Sequence, residues 1–295
     1  MTLLAQISDP HLGPLPRVRL RQLFSKRAIG YFNWHSNRQH AFHEGALAAL
    51  TADMRAAKPD HIAVTGDLVN IGLDAEYDAA LVWLQSLGTP ENVTVVPGNH
   101  DAYLRRSVER YSATWLPYAN GDHPNPTMMF PFVRRRGALA LIGLSTAVAT
   151  GPFMATGFMD HKQADAFATA LAETGREGLC RVVLIHHPPL ASLTTWPRRL
   201  INASLFQAAV AKHGAELILH GHNHRTSIAR MDGPKGPVPV IGAAAPSIMP
   251  NRYHPGGAYN LLRIEGSPGG RFSIAMTERG FRGDKITTVS EAKLA

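Results

Sequence analysis

Cys180 is the only cysteine in the chain. One cysteine cannot form an internal disulfide, and a cage of thiolates around a structural zinc is excluded with it. Long apolar runs are missing too. Residues 1–13 lack a basic start followed by an apolar stretch, and Asp9 and His11 interrupt them early. Neither a signal peptide nor a membrane span is expected, so the sequence predicts a cytoplasmic protein. Charged residues are scarce, at 18%. Acidic ones are absent altogether between Asp9 and Glu44, a stretch that holds Arg17, Arg19, Arg21, Lys26, Arg27 and Arg38.

What is present is ordinary in bulk and unusual in placement. The 295 residues, 45% of them hydrophobic, suffice for one large sandwich or α/β domain. The 26 glycines and 21 prolines predict many turns. A net charge of +8 and a pI near 9.9 favour anionic partners: phosphates, nucleic acid or an acidic membrane surface. Fifteen histidines are many, and a metal site would account for several.

The placement is clearest at Val93–Asp101. Valines alternate into a short buried strand, Pro97-Gly98 stops it, and Asn99, His100 and Asp101 follow at once. Four other apolar, strand-like runs end similarly. Residues 2–8 lead into Asp9 and His11, and 61–65 into Asp67. Residues 181–185 lead into His186 and His187, and 216–219 into His222 and His224. Helical spacing over 44–57 and 75–87 gives the order β-α-β-α-β, which predicts a parallel sheet with crossover helices. Further helices are predicted over 160–173 and 205–213. Strands over 227–231, 238–241, 259–264 and 272–277 predict a mostly antiparallel second sheet. The expected division is one domain over 1–285, with an insert at about 14–43, and a loosely held tail over 286–295.

Strand ends of a parallel sheet lie along one edge, so the five polar clusters are expected to converge. Asp9 and His11, two apart in extended chain, would leave the same face. Imidazoles with carboxylates suit Mn, Fe, Zn or Co. Seven donors exceed what one ion can use while admitting substrate, so two divalent or mixed-valence ions sharing a carboxylate fit better. Such pairs serve reaction at phosphorus, where a hydroxide acidified between the ions attacks.

Asp9-Pro10-His11, Gly66-Asp67, Gly98-Asn99-His100-Asp101, His186 and Gly221-His222-Asn223-His224 resemble the signature of the calcineurin-like metallophosphoesterases. The branch most resembled is that of class III cyclic-nucleotide phosphodiesterases and glycerophosphodiesterases. The resemblance implies a two-sheet β-sandwich flanked by helices. It implies that Asp9, His11 and His224 hold one ion, that Asn99, His186 and His222 hold the other, and that Asp67 bridges them. His100 would contact the phosphate and protonate the leaving group, and Asp101 would orient His100. His187 is expected to point away and His220 to be structural.

The reaction expected is hydrolysis of a phosphodiester, a cyclic nucleotide or another small diester. The alternatives are a pyrophosphatase acting on a lipid-linked nucleotide sugar, and a nuclease. A metal-free scaffold would be expected to have lost ligands, and none is lost here. The insert interleaves basic residues with Leu20, Leu23, Phe24, Ile29, Tyr31, Phe32 and Trp34. It reads either as a helical flap or as a surface for acidic lipid or a long anionic substrate, with single-stranded nucleic acid a lesser alternative. Arg198, Arg199, Arg252 and His254 are the possible substrate contacts.

Overall fold

The computed structural model describes residues 1–38, 41–124, 129–251 and 255–295. Two six-stranded sheets face each other. The first is built around β1 (Thr2–Ile7), which pairs in parallel with β2 (His61–Val64). Strand β2 pairs in parallel with β3 (Val93–Val95). Three further helices precede the second sheet's last strands: α1 (Arg27–Asn33) in the insert, then α2 (Glu44–Ala56) and α3 (Asp74–Leu87), the crossovers between the first three strands. α4 (Ser107–Trp115) follows β3.

The second sheet begins with the hairpin β4 (Phe132–Arg136) and β5 (Leu139–Gly143). A two-residue strand β6 (Gly157–Phe158) and helix α5 (His161–Arg176) lead to β7 (Cys180–Leu184). Strand β8 (Leu200–Ile201), paired with β6, and helix α6 (Ala203–His213) lead to β9 (Leu217–His220). Strands β10 (Ser227–Met231) and β11 (Val238–Gly242) close this sheet, in the order β10-β11-β9-β7-β5-β4.

Alternation along the central strands separates two cores. Val182 and Leu184 of β7, with Leu217 and Leu219 of β9, fill the space between the sheets. Val183, Ile185 and Ile218 point the other way, under α5 and α6. There Phe167 and Phe206 stack at 5.1 Å; truncating either to alanine is expected to cost about 3–5 kcal/mol. The guanidinium of Arg134 is buried and donates to the carbonyls of Pro90, Val93, Pro117 and Asn120 at 2.5–2.8 Å, which fixes the loops beside β3.

Two sequence expectations fail. The late strands do not form one antiparallel sheet. β10 and β11 join the second sheet, where β11 runs parallel to β9. β12 (Ala258–Glu265) and β13 (Ser273–Arg282) instead extend the first sheet, antiparallel, from β1. The tail is not loose either: β14 (Lys285–Lys293) pairs with β13, and Leu294 is buried. Its Thr, Ser, Glu and Lys residues suit an edge strand with both faces largely wet, so the apolar alternation that betrays a strand is absent.

The insert is anchored, and its basic residues are not all solvated. Arg27 is 2% exposed, and its guanidinium donates to the carbonyls of Ile71 and Gly72. Arg17, Arg19 and Arg21 are exposed. Among the described residues, no helix is long and apolar enough to cross a membrane.

Candidate metal centre

Five strand ends, those of β1, β2, β3, β7 and β9, carry their polar clusters to one edge of the sandwich. The chain does not leave the strands in extended form, however. Asp9, His11, Asp67, His222 and His224 all have positive φ, between 42° and 71°. Left-handed backbone is uncommon for such residues, and it persists where surrounding structure enforces it. Asp9 and His11 therefore share a site because the backbone turns sharply, not because alternate residues share a face. At Gly221 any Cβ would collide with Ser8 Oγ and Asp9 Oδ2, so the close approach of the β1 and β9 loops requires glycine.

Two donor sets result. Ligand atoms of Asp9, His11, Asp67 and His224 all lie within 4.8 Å of one another, and so do those of His186, His187 and His222. Asp67 stands between them. Its Oδ2 is 3.4 Å from His186 Nε2 and 3.8 Å from His11 Nε2. Its Oδ1 accepts from the His100 N–H at 2.8 Å. Burial opposes the charge of Asp67, but the facing His186, His100 and His11 hold it well below the usual carboxylate range. Burial likewise opposes a charged His186, yet Asp67 raises it to about 9.

Carbonyls behind the rings fix their orientation. His186 Nδ1 meets Thr65 O at 2.7 Å, and His11 Nδ1 meets Val69 O at 3.3 Å. With N–H directed at those carbonyls, each Nε2 is turned to the interior. His186 Nε2 faces Asp67 Oδ2 and, at 3.3 Å, Asn99 Oδ1; a cation bound there would take the place of the proton that Asp67 otherwise holds on it. His11 Nε2 lies 3.2 Å from His224 Nε2. His222 Nε2 is buried with no hydrogen-bond partner among the described residues. Carboxylates and imidazole nitrogens converging across buried space, with the His222 nitrogen orphaned, are satisfied by cations. The residues fit a metal pair on these grounds.

Two neighbours differ from expectation. Asp101 does not orient His100. Its carboxylate accepts four backbone N–H groups, from Asp67, Leu68, Val69 and Gly98 at 2.8–3.1 Å. Burial and the Asp67 charge push Asp101 up to about 7, while the Gly98 and Val69 donors oppose the rise. The His100 ring is held instead by Asn70 O, at 2.5 Å from Nδ1. His187 does not point away: its ring lies 4.5 Å from that of His222. Both its nitrogens are engaged, with Thr146 Oγ1 at 2.7 Å and Ala155 O at 3.2 Å, so it supports His222 from behind. His220 is buried beside Gly221 O, with burial lowering it to about 4.

Of the possible substrate contacts, Arg198 reaches the site. Its guanidinium donates to His222 O and lines a cavity of about 510 Å³ with Asn99 and His100. Arg199 stacks on Trp196 at 5.0 Å instead. Arg252 and His254 lie outside the described residues. Sequence reasoning missed Lys26, which lines the same cavity. Its Nζ donates to Thr150 Oγ1 at 3.0 Å and sits 4.8 Å over the Tyr103 ring. It also missed Phe42, whose ring is 4.9 Å from His11 and 5.9 Å from His224. Only the absence of acidic residues from the insert pointed toward Lys26.

Comparison with known proteins agrees with this geometry. The model of the calcineurin-like phosphoesterases matches residues 2–226. The chain belongs to that family. Its fold is similar to a dimetal phosphatase from Danio rerio, at 12% identity and a TM-score of 0.64, over 99% of this chain and 98% of that one. A purple acid phosphatase from yellow lupin seeds is similar at 10% identity and TM-score 0.59, over 97% of this chain and 52% of that one. A 5'-nucleotidase precursor from Thermus thermophilus gives 15% identity and TM-score 0.54, over 97% and 54%. The chain thus spans about half the length of the last two, and at these identities the likeness is one of fold. No curated protein matches the sequence. Family membership and the two donor sets together support a metal-dependent phosphoester hydrolase with a dinuclear divalent centre.

Proposed function

We propose that this family member hydrolyses a phosphodiester. In this reading Asp9, His11 and His224 hold one ion, Asn99, His186 and His222 the other, and Asp67 serves both. Bound there, two divalent ions supply Lewis-acid charge and make water acidic enough to react near neutral pH. Lys26 and Arg198 neutralise the non-bridging oxygens from the opposite side. The Asn70 carbonyl sets the His100 ring, which gives a proton to the departing oxygen.

The observation that favours a diester is the space on both sides of the donor sets. A cavity of about 510 Å³ opens over Asn99 and His100, and one of about 810 Å³ opens beside His11. Trp34 borders both. A substrate with two ester arms uses both spaces, whereas a monoester uses one. A two-armed diester therefore suits the site better than a cyclic nucleotide. A lipid-linked pyrophosphate at a membrane surface is the second reading, favoured by Phe24, Phe32 and Phe153, which are 73–88% exposed.

The test is a panel assayed with Mn: bis(p-nitrophenyl) phosphate, p-nitrophenyl phosphate, cyclic nucleotides and nucleotide-sugar lipids. The expected outcome is a higher kcat/KM for the acyclic diester than for the monoester. Preference for the monoester would sink the reading.

A further inference from the structure

The cavity of about 810 Å³ beside His11 is walled largely by hydrocarbon, as is the smaller one over His100. Leu15, Val18 and Trp34 of the insert face Leu47 of α2 and Trp83 of α3, and Phe42 closes the end next to His11. Trp34 and Leu47 are buried. The charged wall residues, Arg17, Glu44 and Arg55, are exposed at the rim. The cavity over His100, by contrast, receives the half-buried Lys26 and Arg198. The half-buried cations thus line the space over His100, and the larger apolar space lies on the His11 side. The volume is that of a small-molecule site, which commonly spans about 300–1,000 Å³.

The insert makes this division. It contributes Trp34, the wall common to both cavities, and Lys26, the cation of one of them. Buried Arg27 fixes it to the loop that follows Asp67. Of its exposed arginines, Arg17 borders this cavity, while Arg19 and Arg21 do not line it.

We propose that the substrate is a phosphoester with one long apolar arm, and that this arm lies in the cavity between the insert and α2. The proposal rests on the diester reading for its reaction but not for its binding site. An alkyl arm entering past Phe42 replaces contact with water by contact with Leu15, Val18, Leu47 and Trp83. Full burial is worth about fourfold in affinity per methylene.

The test compares methylphosphonate with octylphosphonate by calorimetry on the metal-loaded protein. It also compares methyl with octyl p-nitrophenyl phosphodiesters by turnover. The octyl compounds are expected to gain on the order of 100-fold or more in affinity and in kcat/KM, less than full burial of seven methylenes would give. Ala48→Trp and Ala52→Phe, both at exposed positions of α2 that line the cavity, fill it without altering the donor sets. Either variant should cut the octyl-to-methyl ratio at least tenfold, and this ratio is internal to each variant. Equal affinity of the two phosphonates for the wild type would overturn the proposal. So would a dimer, seen by sedimentation, that the same variants break, because a second copy would then occupy the space. Octyl selectivity in binding without hydrolysis of any diester would keep the cavity and refute the reaction instead. Presenting the octyl diester free or in phosphatidylcholine vesicles separates the sources: faster turnover in vesicles indicates a bilayer lipid, and faster turnover in solution a soluble amphiphile.

Discussion

Asp101→Asn is an isosteric change that the geometry predicts to be costly. Oδ2 of Asp101 accepts from Asp67 and Gly98, and Oδ1 from Leu68 and Val69. An asparagine has one oxygen and one NH2 group. Whichever way it turns, two backbone N–H groups face a donor. Each buried group left unsatisfied costs about 1–3 kcal/mol, so the change should cost about 2–6 kcal/mol. A chain of 295 residues unfolds with an entropy of about 0.6 kcal/mol/K, so Tm should fall by about 3–10 °C. The measurement is calorimetry in EDTA, which removes stabilisation by bound metal. The same loops carry Asp67 and Asn99, so metal content should fall in parallel. The refuting result is a Tm within about 1 °C of wild type, full metal content, and a kcat as low as that of His100→Ala. Asp101 would then act through His100 after all.

Three other expectations follow from the same contacts. Asp67→Ala removes the carboxylate lying between the two donor sets, so stoichiometric metal and turnover should be lost together; atomic absorption beside a kinetic assay checks this, and retained turnover sinks the bridging assignment. His100→Ala should lower kcat by about 10²–10⁴-fold with both ions kept, and loss of metal would instead make His100 a ligand. His61 is buried against Thr94 and lowered to about 3 by burial and by Arg136 and Arg134. The unfolded chain therefore takes up this proton below about pH 6.5 while the folded one does not, so stability is full above that pH and falls toward pH 3. Between pH 7 and 5 this amounts to about 2 kcal/mol, and His61→Gln should flatten the decline in Tm in EDTA by about 3 °C; an unchanged slope argues against a neutral buried His61.

Much of this site was legible because its strands are short, apolar and abruptly ended. Val93-Thr94-Val95-Val96 followed by Pro97-Gly98 signals both the strand and the place where polar side chains gather. The same holds before Asp67, His186 and His222. The left-handed backbone at Asp9 and His11 was not legible, because non-glycine residues give no local sign of it and only the packed loops impose it. Asp101 was misassigned for a similar reason. Its neighbour in sequence is His100, but three of its four N–H partners come from a loop more than thirty residues away. Lys26 and Phe42 were hidden inside an insert whose fold depends on contacts with distant parts of the chain, such as those of Arg27 with Ile71 and Gly72. The parallel pairing of β11 with β9 leaves no local sign in the sequence, and β14 carries no strand-like apolar alternation to read.

The insert leaves and rejoins the sandwich at two places held by main-chain bonds. Leu12 N donates to Leu68 O at 2.9 Å, and His43 N donates to Ser247 O at 2.7 Å. Neither bond depends on which residues lie between. Residues 14–42 thus form an exchangeable cassette, and a graft carrying a different lining would redirect the hydrolytic machinery to new esters. Such a graft would have to reproduce the donor at position 27 and the indole at position 34, both of which are buried.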